Sequence, residues 1–457
     1  MIEFVDVPQS RHSAFLISPS MTDPSSRLQA FDGTASSPPV LTFSVNWTAN
    51  SVTWSSKKPN RFAFTSFIPE YTNYVAMLQL EKGAQRSSFR AEADSAEGSA
   101  GQGGEASAEG GSELRFLGEF DHYYPPTKAL YAPSAFAASG IDAGDDLILT
   151  SGDYLRLWRI RDVAEQGNNQ STFISGADPA AAPAADTVPN GDAATGTAPP
   201  AAPPARVKRV QEREVCTLKH PTKSAGTAGS TGAASASVSY FCAPLTAFDW
   251  NVDSPSKVVA ASIDSTVTLW DIERRDLSIQ IQAHDKDIYD VAFAEGKNIF
   301  ASASADGSVR VFDLRVLENC TIVYESPDNS SMLRVAWNKL DPTYMALVAE
   351  ASSNVCIVDL RYPSVPVGTL SNQHTGPVNS IAWNPHSSGH LLSVGEDCKA
   401  VIWHVALATT SAGASISGSP STLSYVARHP INGAAWATDD DHLIAISCGP
   451  FVQLLHV

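Results

Sequence analysis

The sequence predicts an all-β protein: a seven-bladed β-propeller, with seven short four-stranded sheets standing radially around one axis. Three observations carry this. Strand–turn–strand blocks recur along the chain. Aromatic residues that end a preceding strand fall at Trp250, Phe293, Trp337 and Trp383, which are 43, 44 and 46 residues apart, the spacing of a propeller blade. The last unit stops one strand short, while a stray strand stands before the first.

The stray strand is PVLTFSVNW (39–47). Seven aromatic-ended strands follow: SVTWSS (51–56), TKALYAP (127–133), TAFDWN (246–251), IYDVAFA (288–294), LRVAWNK (333–339), VNSIAWNP (378–385) and INGAAWA (431–437). Most lead into a strand–turn–strand block: TSGDYLRLWRI (150–160), SIDSTVTLWDI (262–272), SADGSVRVFDL (304–314), EASSNVCIVDL (350–360) and SVGEDCKAVIWHV (393–405). At the two ends YVAMLQL (74–80) and FVQLLHV (451–457) match the second strand of that block. Strands such as VTLWDI and VRVFDL combine β-branched and aromatic residues and lie between Asp-Gly or Asp-Ser turns. A single blade cannot bury both of its faces. A ring buries each face on a neighbour, with the large Trp and Phe side chains filling between blades, and leaves only short edges. The seventh unit ends at Val457 after three strands, so strand 39–47 is expected to supply its fourth and close the ring through the two chain ends.

Four stretches break the pattern: about 84–113, 163–208, 223–237 and 408–421. They are rich in Gly, Ala, Ser or Pro and too poor in apolar surface to offset the entropy of ordering. They are expected to be disordered, low-complexity loop insertions, and residues 1–38 a flexible N-terminal extension of a propeller spanning 39–457. EREVCTLKH (212–220), between two insertions, is predicted to be the outer strand of the second blade.

The 457 residues are 43% hydrophobic and carry a formal net charge of −17. That balance argues against direct nucleic-acid binding or an anionic membrane surface, both of which need basic patches, and fits solubility or basic protein partners. The cysteines, Cys216, Cys242, Cys320, Cys356, Cys398 and Cys448, form no CxxC pair, so reduced, buried thiols are expected. The N-terminus has no basic region followed by a long apolar run, and no stretch of 18 apolar residues exists. The expected location is nucleus and cytoplasm.

These residues resemble the WD-repeat propeller family, whose dipeptide stands at Trp270-Asp271. TSGDYLRLWRI, FCAPLTAFDWN (241–251), AHDKDIYDVAF (283–293), LRVAWNKLDPTY (333–344) and IAWNPHSSGH (381–390) are similar to one branch of it. That branch holds the plant Transparent Testa Glabra proteins. It also holds the animal scaffold that binds DYRK and HIPK kinases and associates with cullin–RING ubiquitin ligases. The resemblance covers about 43–457; the insertions and the N-terminal extension depart from it.

In this family a loop His bonds the Asp of a tight turn, with Ser and Trp completing a buried network. His284, Ser302 and Asp306 form one such set, with Phe312 where Trp would stand; His374, Ser393, Asp397 and Trp403 form another. A His-Asp-Ser constellation also describes a hydrolase triad, but the motif repeats and no nucleophile elbow accompanies it, so a structural network is expected. His386 and His390 are four apart, yet Pro385 and Gly389 put them in a turn, where that spacing holds no metal. GSAGQGG (98–104) follows no strand and opens no helix, so it is no phosphate loop. Catalytic groups, cofactors and metals are therefore not expected.

The remaining signal is a pair of Asp-x-Arg boxes, Asp313/Arg315 and Asp359/Arg361, at the ends of equivalent strands in successive blades. In WD-repeat substrate receptors of cullin–RING ligases, such boxes mark the adaptor-binding side, and the rigid guanidinium fork suits an interface. The competing reading is that each Arg bonds its own Asp or a loop carbonyl. The expected function is a non-enzymatic scaffold assembling kinases of the DYRK type, transcription regulators and a cullin-ligase adaptor. The alternative is a dedicated substrate receptor of a cullin–RING ligase.

Overall fold

The strands begin where aromatic-ended segments meet turn residues. The computed structural model describes residues 40–82, 112–136, 142, 144–163, 209–219, 243–363, 365–405, 407–410, 413–416 and 421–457. Chain order opens with β1 (Leu41–Ser44). The first blade is β2 (Ala49–Trp54), β3 (Arg61–Ser66), β4 (Asn73–Glu81) and β5 (Glu113–His122). The second is β6 (Lys128–Tyr131), β7 (Asp146–Ser151), β8 (Leu155–Asp162) and β9 (Val210–Leu218). The third is β10 (Leu245–Trp250), β11 (Lys257–Ser262), β12 (Thr266–Asp271) and β13 (Asp276–Gln282). The fourth is β14 (Ile288–Phe293), β15 (Ile299–Ser304), β16 (Ser308–Asp313) and β17 (Val316–Glu325). The fifth is β18 (Met332–Trp337), β19 (Tyr344–Ala349), β20 (Val355–Asp359) and β21 (Pro366–Leu370).

The sixth blade is β22 (Val378–Trp383), β23 (His390–Gly395) and β24 (Lys399–His404), then, after the hairpin β25 (Leu407–Thr410) and β26 (Gly413–Ile416), its outer strand β27 (Ser421–Val426). The seventh is β28 (Ile431–Trp436), β29 (Leu443–Cys448) and β30 (Phe451–His456), and β1 completes it. β1 pairs antiparallel with β30, from Leu41 opposite Leu454 to Ser44 opposite Phe451, which is the predicted closure. The predicted outer strand at 212–220 is β9, paired with β8. One expectation is corrected: the 408–421 stretch contains the β25–β26 hairpin. The other three insertions, apart from their edges, and the N-terminal extension lie outside the described residues.

Each blade is an antiparallel meander, so its loops sort onto two faces. Loops joining second to third strands, and those leading to the next blade, leave from an upper face. Loops joining first to second and third to fourth strands leave from a lower face. Seven apolar clusters lie one at each junction of neighbouring blades, including that between the seventh and the first. This is the burial a lone blade cannot achieve.

Polar bonds follow the same ring. Inner strands of five blades carry a bulge at their second residue: Thr246, Tyr289, Leu333, Asn379 and Asn432. A bulge re-aims a side chain out of the ladder. Thr246 donates to the Ile288 carbonyl, Asn379 to Ile431 and Asn432 to Ala49, each in the next blade. Asn50 and Thr127 do the same to Pro126 and Leu245. The two remaining junctions are bridged by Asp290, which accepts from the Val335 amide, and by Arg334, which donates to the Asn379 carbonyl.

The described cysteines are all unpaired, but only Cys448 is buried; Cys320 is exposed and Cys216, Cys356 and Cys398 are half-buried. Their residues sit on strands or turns whose side chains alternate between core and solvent, so the expectation of uniformly buried thiols is corrected. Cys242 lies outside the described residues. Among the described residues no helix is long and apolar enough to cross a membrane.

Candidate protein-binding site

The sequence singles out two kinds of residue, and the structure places them on opposite faces. The histidine sets stand under the upper loops. His284 follows β13 and reaches into the fourth blade, where its Nδ1–H donates to Asp306 at 2.9 Å and its Nε2 accepts from the Ser302 hydroxyl at 2.7 Å. Asp306 also accepts from the amide and hydroxyl of Ser308. Burial opposes ionisation of Asp306, but Ser308 and His284 outweigh it and hold the carboxyl at about 2. Burial lowers the pKa of His284 against the pull of that carboxylate. Phe312 takes no part in the relay and instead stacks on Phe300, 5.1 Å between centroids.

The sixth blade carries the longer version. Trp403 Nε1 donates to Ser393 Oγ at 2.8 Å, Ser393 donates to His374 Nε2 at 2.8 Å, and His374 Nδ1 donates to Asp397 at 3.0 Å. Every hydrogen in the relay points toward the carboxylate. Burial resists ionisation of Asp397, and the bonds from His374 and the Thr375 amide overcome it. Both serines are fully buried, at 0% exposure, so neither hydroxyl can meet an external carbonyl. The geometry is that of satisfied buried polar groups.

Sequence reading missed a third copy. His122, at the end of β5, bonds the Tyr124 carbonyl through Nδ1 at 2.6 Å and Thr150 Oγ1 through Nε2 at 3.0 Å, and Trp158 Nε1 donates to the same hydroxyl at 2.9 Å. Burial, against the Tyr124 bond, lowers the His122 pKa to about 4. Thr replaces Ser, and Asp153 of the shortened turn bonds Arg156 instead of the histidine. The signal was Trp158 in TSGDYLRLWRI. In the third blade Trp270 Nε1 is satisfied within its own strand, by Thr268 Oγ1 at 3.0 Å.

The Asp-x-Arg boxes lie on the lower face, in the turns after β16 and β20. Asp313 accepts from the amide and Nε of Arg315, each at 2.9 Å. Asp359 accepts from the amide and Nε of Arg361, again at 2.9 Å. Each box is therefore first a turn cap, in which an Asp side chain holds the backbone two residues on. Those bonds hold Asp313 at about 2; Asp359 is also lowered, its partial burial overcome by Arg361. Arg361 further donates to the Tyr344 hydroxyl at 2.9 Å and lies over that ring. Asp359 is buried, whereas the Arg315 and Arg361 side chains remain 67% and 44% exposed. Their Nη1 groups have no partner among the described residues. Exposed apolar residues flank them on the same face: Val316 beside Arg315, Tyr362 beside Arg361, and Leu340 in the β18–β19 loop.

His386 sits in the turn before β23. His390 bonds Ser387 at 2.7 Å and lies 5.0 Å from the His404 ring. No group of three His, Cys, Asp or Glu suited to a metal occurs among the described residues. GSAGQGG lies outside them.

Seven closed blades, with a buried His-Asp relay in two of them, define the class: a WD-repeat β-propeller. The sequence profile described as "WD domain, G-beta repeat" matches residues 276–313 and 364–404. The "DDB1- and CUL4-associated factor 7 homolog" of Dictyostelium discoideum is 33% identical over 420 residues, covering 92% of this chain and 98% of that one. The chain belongs to the DDB1- and CUL4-associated factor 7 family of WD-repeat proteins. An uncharacterized WD repeat-containing protein of Schizosaccharomyces pombe is 40% identical over 178 residues (35% of this chain, 41% of that one). A WD repeat-containing protein of Saccharomyces cerevisiae is 36% identical over 197 residues (39% and 38%).

Proposed function

We propose that the protein is a non-enzymatic scaffold of nucleus and cytoplasm, with a cullin-ligase adaptor of the DDB1 type docking on the lower face through Arg315 and Arg361. One observation carries this. Two arginines in adjacent blades are pre-oriented by their own aspartates, keep an exposed guanidinium edge, and stand beside Val316, Leu340 and Tyr362. Charged forks among exposed apolar residues are the composition of an interface hot spot. The name of the Dictyostelium relative supports the choice of adaptor. Kinases of the DYRK type and transcription regulators, implied by the resemblance, would occupy other parts of the ring and raise one another's effective concentration. The same relative's name favours a narrower second reading, a dedicated substrate receptor of a cullin–RING ligase.

Affinity purification with mass spectrometry separates the two. The wild type should recover a cullin adaptor together with kinases, and Arg315→Ala/Arg361→Ala should lose the adaptor alone. Loss of every partner with the adaptor favours the receptor. Absence of any adaptor from the wild-type sample sinks both.

A further inference from the structure

The upper face carries an aromatic platform that the networks and the arginine boxes leave unused. Phe67, Tyr71, Tyr123 and Tyr124 are 52%, 70%, 68% and 36% exposed. The register explains why the two loops that carry them meet. Asn73 pairs with His122 and Tyr74 with Asp121 across β4 and β5, so the loop before β4 (67–72) and the loop after β5 (123–127) rise side by side. Tyr71 and Tyr124 meet edge to face, 5.6 Å between centroids, and Tyr123 lies 5.8 Å from Tyr124.

Both loops are fixed from below. Asn73, fully buried, accepts from the Ile68 amide and donates to the carbonyls of Ile68 and Glu70. His122 holds the Tyr124 carbonyl. The platform is thus pre-organised, and little ordering entropy remains to be lost on binding.

Its surroundings are acidic. Glu70 and Asp121 are exposed at its edge, and Asp264, Asp287, Glu350 and Glu396 are exposed on the same face. Within the described loops of that face, exposed acids outnumber bases. Exposed tyrosine faces beside carboxylates complement a guanidinium twice over, through the ring quadrupole and through bidentate ion pairing. Nucleic acid and anionic membrane are repelled by the same charge.

We propose that this platform docks an arginine-bearing, extended segment of a partner protein, with guanidinium groups stacked on Tyr71 and Tyr123 and paired with Glu70 and Asp121. This rests on the scaffold reading but uses the face opposite the Asp-x-Arg boxes. A partner held here and an adaptor held below would not compete.

The test is a fluorescence-anisotropy titration of the purified full-length chain. The probes are fluorescein-labelled twelve-residue peptides with Arg, Lys, Glu or Leu at alternate positions in a Gly-Ser-Pro background. Arg peptides should bind most tightly, Lys peptides more weakly, and Glu and Leu peptides least. Tyr71→Ser/Tyr123→Ser should weaken Arg binding on the order of ten-fold, since two stacking contacts are removed. Glu70→Gln/Asp121→Asn should weaken it and flatten its salt dependence. All four residues are exposed, so the variants should melt like the wild type. Arg315→Ala/Arg361→Ala should bind the peptides unchanged. Equal binding of Arg and Glu or Leu peptides, no detectable binding of Arg peptides, or full retention in the tyrosine variant would overturn the proposal. Adaptor recovery by purification is read independently, so the two readings fail separately.

Discussion

The indole Nε1 of Trp54 donates to the carbonyl of Ala435 at 3.1 Å, joining residues 381 positions apart. Trp436 and Trp383 repeat the contact one and two blades back, to Ala382 and Ala336. The tryptophans thus fill the junctions and stitch them. Trp250 and Trp337 instead cap their own loops, at Pro255 and Pro342.

Closure should be the sensitive seam. A Cβ on Gly433 would collide with the Asn50 carbonyl oxygen of the first blade, a backbone atom that cannot swing away. Gly433→Ala should destabilise by about 1–3 kcal/mol or more, as overpacking does. Phe43 of β1 stacks on Phe116, 5.8 Å between centroids, and Phe43→Asp should cost roughly 2–4 kcal/mol through lost packing and a stranded charge. Denaturant melts measure both, and wild-type midpoints would refute the seam.

Removing His374 takes a donor from Asp397, which keeps only the Thr375 and Lys399 amides, and leaves the buried Ser393 hydroxyl without its acceptor. His374→Ala should cost about 1–3 kcal/mol, and Trp403→Phe about 1 kcal/mol. Because both act through Ser393, the double variant should cost less than the two combined. Strict additivity in urea unfolding would show that the relay is not one unit.

Acid sensitivity should come in two windows. His122 has its pKa lowered from 6.5 to about 4 by burial, so the unfolded chain binds the proton first. Its contribution is fully present above pH 6.5 and is lost as pH falls toward 4, about 3 kcal/mol in all. Asp306, lowered from 3.8 to about 2, keeps its contribution above pH 3.8 and loses it toward pH 2. His122→Phe should reduce the slope of stability between pH 6.5 and 4, leaving the part that the likewise lowered His284 supplies, and leave the lower window unchanged. An unaltered slope in the upper window would exclude His122 as the group responsible.

Thr268 and Trp270 are both buried; Trp270 Nε1 donates to Thr268 Oγ1, whose own hydrogen goes to the Ala260 carbonyl of β11 at 3.4 Å. Thr268→Val keeps the shape but removes the acceptor, so it should cost about 1–3 kcal/mol for the unsatisfied indole N–H. Thr268→Ser should recover most of that in the same thermal melt.

The two boxes should differ in stability though they match in sequence. Arg361→Ala takes the guanidinium from the buried Asp359, leaving it only the residue-361 amide, and frees the Tyr344 hydroxyl, so it should lower Tm measurably. Arg315→Ala, at a largely exposed pair, should melt with the wild type. Equal shifts would mean that burial of Asp359 is not what separates them.

Much of this was legible in the chain because a propeller writes its period into it. The aromatic ends of the inner strands, the Asp-led turns and the short seventh unit define blades and closure by local rules. The relays of His284 and His374 were legible for the same reason: His, Ser and Asp recur at a fixed spacing. The His122 relay was not, because Thr stands for Ser, the turn Asp is bonded elsewhere, and the long connection between β6 and β7 sets His122 28 residues from Thr150, against 18 and 19 in the other two. The β25–β26 hairpin was missed because Ala, Ser and Gly residues carry little strand preference of their own.

The blade count, the strand order and the closing role of residues 41–44 follow from the sequence alone, since each depends on local alternation and on a missing partner that only one stray strand can fill. What tertiary structure alone decided is how repeated residues differ in use. Arg315 and Arg361 occupy identical boxes, yet only Arg361 has a Tyr344 against it, supplied from 17 residues away. Tyr71 and Tyr124 meet because β4 and β5 pair across a 31-residue gap in the chain between Glu81 and Glu113. Such neighbours are set by sheet register between distant segments, and a period read along the chain contains no term for it.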